Sequence, residues 1–405
     1  MPLTLLAVTG MTPQVITETL YGLHRQGSPW PDKLHIMTTQ IGLGIVEQSL
    51  LEGHKLDALC DELDMPRYRR DQVQIDVVPD AEGRPVDDAR TIEDHEALAD
   101  FIMQTVRELT ADESTQVHAS IAGGRKTMTF YLGYAMSLFG RPDDGMSHVL
   151  IGGGYENHPA FYFPTRTSQM IETREGRVLD MADADVNLAD IPFIRHRDQL
   201  PNILLRHGAA KDERMSFRQL VELINLGGQP HRLSIRLHSR HKTLDILADG
   251  KKLHALTFSS LFDWCWFEVV AKATQESDGS LRREETKIIG KAVMSRMAKY
   301  LELPFDGKQE LKQQVDQWLK QHESMLEEAG IRIADFKASM RLGLDVSQVT
   351  NRIRRRLTEE LPKGVEERLA PRLYFNDKGV WTPKSNKRGG YGLNLAPEKI
   401  SFCDQ

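Results

Sequence analysis

Two loops in the N-terminal half carry residue types suited to holding a phosphate. Thr9-Gly10-Met11-Thr12-Pro13-Gln14 follows the apolar run Leu3 to Val8, and Ser120-Ile121-Ala122-Gly123-Gly124-Arg125-Lys126-Thr127 follows a second such run from Gln116. Each loop opens a helical pattern, so each places free backbone N–H groups and the positive end of a helix dipole at a strand end. The glycines allow a ligand to approach the backbone closely. Hydroxyls at Thr9, Thr12, Ser120 and Thr127 can donate to phosphate oxygens, and Arg125 and Lys126 add full charges. Two cations at a helix N-terminus oppose the dipole, which favours an anion between them. Neither loop has the dinucleotide or the Walker spacing. A third loop, Gly152-Gly153-Gly154-Tyr155-Glu156-Asn157-His158-Pro159, could line the same pocket, with Tyr155 or His158 either stacking on a base or serving the core and turns. Thr39, after the second strand, belongs to the same edge.

The elements that position these loops follow from periodicity. Strand-length apolar runs at Leu3–Val8, 34–37, 73–78, 116–121 and 148–151 alternate with helical patterns from Pro13, Ile45 (to about Leu59), Glu93 and Lys126. The expected fold class is therefore α/β, a doubly wound, Rossmann-like parallel sheet with ligand loops at its carboxyl edge. Residues 1–195 form this domain, 196–230 a linker, and 231–405 an α+β C-terminal domain with a helical insertion near 280–340.

In the C-terminal half, strand-like stretches at 233–237, 242–246 and 251–257 precede an apolar helix, Phe258 to Ala273, whose Trp264, Trp266 and Phe267 read as core. A basic helix, Val346 to Leu357, and a hairpin from Tyr374 to Leu393 with a basic tip follow. This order resembles an OmpR-like winged helix interrupted by an insertion. Arg352, Arg355, Arg356, Lys387 and Arg388 are the candidate contacts to duplex DNA; the alternative is a solvated helix face on a packing module. Between Arg341 and Gly390, twelve Lys and Arg stand against six Asp and Glu in a chain of net charge −6, so the rest of the chain is acidic.

The 405 residues suggest two or three domains. No run of 18 apolar residues occurs, so no membrane partner is expected, and the start lacks the basic region of a signal peptide; a cytoplasmic location follows. Cys60, Cys265 and Cys403 form no CxxC pair. The histidines at 231, 238, 241 and 254 lack a completing ligand set, so no metal and no cofactor are expected.

The stretches VTGMTPQVITETLYGL, SIAGGRKTMTFYLGYAMSLFG and GGGYENHPAFYFP resemble the CARF domains of CRISPR-associated proteins, especially their ring-nuclease group, over about the first 165 residues. The resemblance implies a homodimer that binds a cyclic oligoadenylate, the tetra-adenylate above all, across its two-fold axis. Members either sense the ring or cleave it without metal. Cleavage places the 2′-hydroxyl in line with the leaving 5′-oxygen and needs donors on the phosphorane, giving a 2′,3′-cyclic phosphate. Lys126, Arg125 and Thr12 are the catalytic candidates. Thr9, Gly10, Met11, Gln14, Thr39, Ser120, Ala122, Gly123, Gly124, Thr127, Gly153, Tyr155 and His158 are the ligand-binding candidates. Two functions fit: a ring nuclease that switches off antiviral signalling, or a ring-gated DNA-binding regulator. An effector ribonuclease lacks its RxxxxH pair on a suitable helix.

Overall fold

The computed structural model describes residues 1–80, 82–156, 158–201, 215–276, 281, 286–300, 320–324, 346–377, 380–383 and 390–403. The chain divides into two compact units, the first centred on residues 1–200 and the second running from residue 218 onward.

In the first unit, strands β1 (Leu3–Val8), β2 (Lys33–Thr38), β3 (Val73–Val77), β4 (Gln116–Ser120) and β5 (Gly145–Ile151) pair in parallel, and β8 (Val186–Asp190) closes the edge antiparallel to β5. The order is β3-β2-β1-β4-β5-β8. β1 reads as an unbroken apolar run because both of its faces are covered, and Leu5, Leu6, Ala7 and Val8 are all buried. Helix α1 (Gln14–Arg25) packs with α3 (Lys55–Glu62), while α4 (Ile92–Leu109) packs with α5 (Lys126–Phe139). The chain leaves β1 toward β2 but reaches β4 on β1's other side. The strand order therefore reverses between β1 and β4, which opens a crevice above their carboxyl ends.

The single helix expected from Ile45 to about Leu59 is instead three pieces. α2 (Gln40–Val46) runs into a π-helical turn (Glu47–Glu52), and α3 begins after His54 at φ 54°. Ser49 donates its hydroxyl to the Ile45 carbonyl, and a Cβ at Gly53 would meet the Gln48 and Ser49 carbonyls at 2.7 and 2.8 Å. The turn can therefore tighten only at a glycine. After β5 the chain makes an excursion that includes β6 (Met170–Glu172) paired with β7 (Val178–Asp180). Tyr155, Phe161, Tyr162, Phe163 and Ile171 from this excursion join Ile16, Leu20 and Leu23 of α1 in one core.

The second unit is α+β. Its sheet runs β11 (Lys251–Thr257), β10 (Thr243–Ala248), β9 (Leu233–His238) and β15 (Ile400–Cys403), the last parallel to β9 and not foreseen from sequence. Positive φ at Asp249 and Gly250 makes the tight β10–β11 turn. Within the stretch 196–230, the short helix expected from Ser216 to Leu226 is α6 (Phe217–Leu226), whose Leu220, Leu223 and Leu226 are buried. On α7 (Leu261–Glu276), Trp264, Trp266 and Phe267 are fully buried; the two indole N–H groups donate to Tyr300 OH and Thr350 Oγ1. Helices α8 (Thr286–Tyr300), α9 (Val346–Glu360) and α10 (Lys363–Leu369) follow. A small antiparallel sheet orders β13 (Val380–Pro383), β12 (Arg372–Asp377) and β14 (Gly390–Gly392). The basic tip at 384–389, with Lys387 and Arg388, and most of the 280–340 insertion lie outside the described residues.

A buried ion pair fixes the β4–β5 connection under the site. The Asp144 side chain is fully buried and accepts from Arg141 Nε at 2.9 Å, Arg141 Nη2 at 2.8 Å and the Val117 amide at 2.8 Å. Asp144→Ala would leave a guanidinium and an amide unpaired in the interior. It is expected to lower stability by about 3–5 kcal/mol, read by chemical denaturation, whereas Asp185→Ala, which breaks an exposed pair with Arg25, should cost less than about 1 kcal/mol.

Candidate functional site

Three of the strands that end at the crevice, β2, β1 and β4, are adjacent, and each feeds a helix there. Their loops touch. A Cβ built on Gly10 would lie 3.8 Å from Gly124 Cα, one on Gly42 only 2.9 Å from the Gly10 carbonyl oxygen, and one on Gly123 2.7 Å from the Val8 carbonyl oxygen. Glycine is required at Gly123 by this approach, and at Gly124 by its φ of +82°. No acidic residue occupies the first turn of α1, α2 or α5. Neither Pro13 nor Arg125, the residues that precede α1 and α5, caps its helix with a side chain. The first N–H groups of those two helices thus lack an intrahelical or side-chain cap, and their dipoles sum at one place.

The hydroxyls at this edge divide into committed and uncommitted groups. Thr9 is buried and donates to the Thr12 carbonyl at 3.0 Å; Ser120 is buried and shares a hydrogen bond with Thr19 Oγ1 at 2.9 Å; Thr39 caps α2 by accepting from the Gly42 amide at 3.3 Å. These three candidates hold the loops rather than present a free hydroxyl. By contrast, Gln14 Oε1, Thr38 Oγ1 and Thr127 Oγ1 are buried without a hydrogen-bond partner. Each is a polar atom whose bonding a water or a ligand atom at the crevice would complete. Among the described residues, the Thr12 hydroxyl and the exposed Lys126 ammonium also have no hydrogen bond or ion pair. Met11 stands 75% exposed at the loop tip, Gly10 and Ala122 are half-buried, and Gly153 is exposed with φ +70°.

Arg125 has a partner that sequence spacing did not reveal. Its Nε donates to Asp88 Oδ1 at 2.5 Å and its Nη2 to Asp88 Oδ2, while Arg90 Nε donates to the same carboxylate at 3.1 Å. The Arg125 guanidinium, with Arg90, holds the Asp88 carboxyl below the usual carboxylate range. The anion inferred between two adjacent cations is, for Arg125, this protein carboxylate. Lys126 is left as the uncompensated charge of the pair.

One candidate is corrected and another is given a structural partner. The Tyr155 ring is buried, tilted on Phe161 at 5.1 Å between centroids, and its OH donates to the Asp180 carbonyl at 2.6 Å. It is a core residue and cannot stack on a base. His158 Nε2 pairs with the Glu172 carbonyl at 2.9 Å and its Nδ1 accepts from the Ala160 amide at 3.2 Å. It staples the excursion to β6. In the second unit, the arginines of α9 are largely neutralised within the fold. Arg352 pairs with Asp263, Arg355 with Glu359 and Arg356 with Glu360. Arg356 also lies over the Phe258 ring at 4.8 Å. Among the described residues, no group of three or more His, Cys, Asp or Glu could hold a metal ion, and no helix is long and apolar enough to cross a membrane.

Sequence inspection also passed over Glu18. It lies on α1, only 4% exposed, and the described residues offer it no hydrogen bond and no cation. Burial, reinforced by the charge of Glu156 in the loop after β5, pushes its carboxyl up to about 8. The folded protein therefore keeps a proton that the unfolded chain releases near pH 4.5. Stability falls as pH rises from about 4.5 to about 8 and is flat beyond. Glu18→Gln should abolish that slope and make the protein more stable than wild type at pH 8.5 by on the order of 2–4 kcal/mol. Denaturant titrations of both proteins at pH 5 and pH 8.5 measure this.

No curated protein matches the sequence. Among solved structures, the chain is similar to a Listeria monocytogenes protein described as a UDP-N-acetylglucosamine 2-epimerase, at 14% identity and a TM-score of 0.21, over 39% of this chain and 34% of that one; this likeness says nothing about chemistry here. A family model described as CRISPR-associated protein NE0113 matches residues 12–225. That match takes in all three helix N-termini of the crevice and more than half of the chain, and the protein belongs to the NE0113 family of CRISPR-associated proteins.

Proposed function

We propose that the first unit binds a cyclic oligoadenylate, the tetra-adenylate above all, and cleaves it without a metal ion, acting as a CARF-type ring nuclease that ends a CRISPR signal. The observation that carries this reading is the convergence at the β1–β4 reversal of acid-free helix N-termini with an unpaired Lys126, an unpaired Thr12 hydroxyl and the orphaned Gln14, Thr38 and Thr127 oxygens. A phosphodiester supplies the negative charge this field lacks, and a ribose or base supplies partners for the neutral groups. The ring's 2′-hydroxyl attacks its own 3′-phosphorus. The P–O5′ bond breaks, the 2′-proton passes to solvent, and the departing 5′-oxygen takes a proton from water. The products are a 2′,3′-cyclic phosphate and a 5′-hydroxyl. Lys126 and the N–H groups at the start of α5 stabilise the phosphorane as its charge develops. Arg125, held by Asp88, positions that loop.

Homodimerisation fits the two-fold symmetry of such a ring. It is supported by exposed apolar side chains beside the loops: Met11 at 75%, Ile41 at 49%, and Phe130, one turn beyond Lys126, at 61%. In this reading the second unit is a winged-helix-like support, and among its described residues Arg352, Arg355 and Arg356 of α9 pair with carboxylates of the same unit.

Lys126→Ala is expected to slow ring cleavage about 100-fold or more while weakening ring binding by no more than about tenfold. Single-turnover chromatography and calorimetric titration measure the two effects. Cleavage at the wild-type rate would remove Lys126 from the chemistry.

A further inference from the structure

Gln14 and Glu18 are one helical turn apart on α1 and so lie on the same face of it. That face is not the one carrying Ile16, Leu20 and Leu23 into the core, yet both side chains are buried, at 9% and 4% exposure. Gln14 Oε1 has no partner, and among the described residues Glu18 has none either. Gln14 Oε1 is withdrawn from water without a hydrogen bond, which is costly to the fold, and the Glu18 residue beside it is almost wholly buried. They sit on the half of α1 that opens the crevice, where the charge of Glu156, in the loop after β5, acts on Glu18.

The other charged groups on the elements packed against α1 are engaged elsewhere or point elsewhere. Asp185, just before β8, pairs with Arg25. On α3, Lys55 lies over the Tyr162 ring, Asp57 pairs with His54, Asp61 with Arg67, and Glu62 accepts from the Arg166 amide; the charge of Asp190 on β8 acts on His118. His148 of β5 is half-buried and exerts no marked effect on Glu18. Nothing on these elements neutralises a Glu18 carboxylate. A protonated carboxyl is a hydrogen-bond donor, and beside the acceptor Gln14 Oε1 it forms a donor–acceptor pair.

We propose that protonated Glu18 is a hydrogen-bond donor of the ligand site. Together with Gln14 it takes an uncharged polar group of the bound ring, from base or ribose, and thereby makes ring binding depend on pH. This inference rests on the ring-binding reading above. Deprotonation would replace a donor with a buried negative charge close to a polyanion, so affinity must fall as pH rises through the range in which Glu18 ionises, near 8. Glutamine at this position keeps a donor and cannot ionise.

The test is calorimetric titration of cyclic tetra-adenylate into the full-length wild type, Glu18→Gln and Glu18→Ala between pH 6.5 and 9.5, with melting curves alongside. Wild-type affinity is expected to drop at least about tenfold across pH 8. Glu18→Gln should bind as wild type does at pH 6.5 and keep that affinity to pH 9.5, and Glu18→Ala should bind weakly throughout. Rings made with 1-deaza-, 3-deaza- or 7-deaza-adenine each lack one ring acceptor: one of them will bind the wild type less tightly if the base supplies the group, and all will bind equally if the ribose does. A fall above pH 8 in Glu18→Gln as steep as in the wild type, or a flat wild-type profile, overturns the inference. Absence of ring binding by the wild type at every pH would instead overturn the functional proposal beneath it.

Discussion

Three helix N-termini share one crevice, and the strand order requires them to. With β1 between β2 and β4, the helices that follow these strands start side by side. Their dipoles add, and the sequence places no acid in any first turn to offset them. Much of the surrounding geometry follows from this crowding. Gly42 and Gly123 stand where a Cβ would strike a neighbouring carbonyl. Gly124 adopts a backbone that other residues avoid, and the Thr9, Ser120 and Thr39 hydroxyls are spent on fixing the loops. Within the protein, the Thr39 hydroxyl caps α2 and Asp88 meets the Arg125 charge.

In the proposed function, the polar groups left over set the chemistry. Lys126 and Thr12 supply charge and a hydroxyl at the edge, suited to a phosphodiester. Gln14, Thr38 and Thr127 hold buried oxygens without partners, and Glu18 is a carboxyl that burial keeps protonated. Only a ligand with both anionic and neutral hydrogen-bonding groups uses all of these. A nucleotide ring has both; a simple inorganic anion would leave the interior groups unpaired. The same division explains how one loop can be rigid and receptive, since the side chains that shape it are not those that remain open.

Much of this was legible in the amino-acid order. The apolar runs and the loops after β1 and β4 located the crevice because parallel strands buried on both faces leave a strong local signature. Tyr155 and His158 were harder to judge. An aromatic residue in a glycine-rich loop has the same local appearance whether it lines a pocket or, as Tyr155 does, turns into the core beneath it. Asp88 and Glu18 gave no local signal. The Asp88–Arg125 contact spans 37 residues, and Glu156, whose charge acts on Glu18, lies more than a hundred residues beyond it in the chain. The broken helix after β2 was missed because the π-helical turn keeps nearly the apolar spacing of an α-helix. In the second unit the basic composition of α9 suggested an exposed cationic surface, but its acidic partners, two of them four residues along the same helix, were readable only in part.

The proposed function requires the crevice to receive and open a phosphodiester ring with the protein's own side chains. The most direct measurement is incubation of the purified protein with cyclic tetra-adenylate in excess EDTA, with the products separated by chromatography. Linear di-adenylate ending in a 2′,3′-cyclic phosphate is the predicted product. Intact ring that neither changes nor associates with the protein would contradict the account.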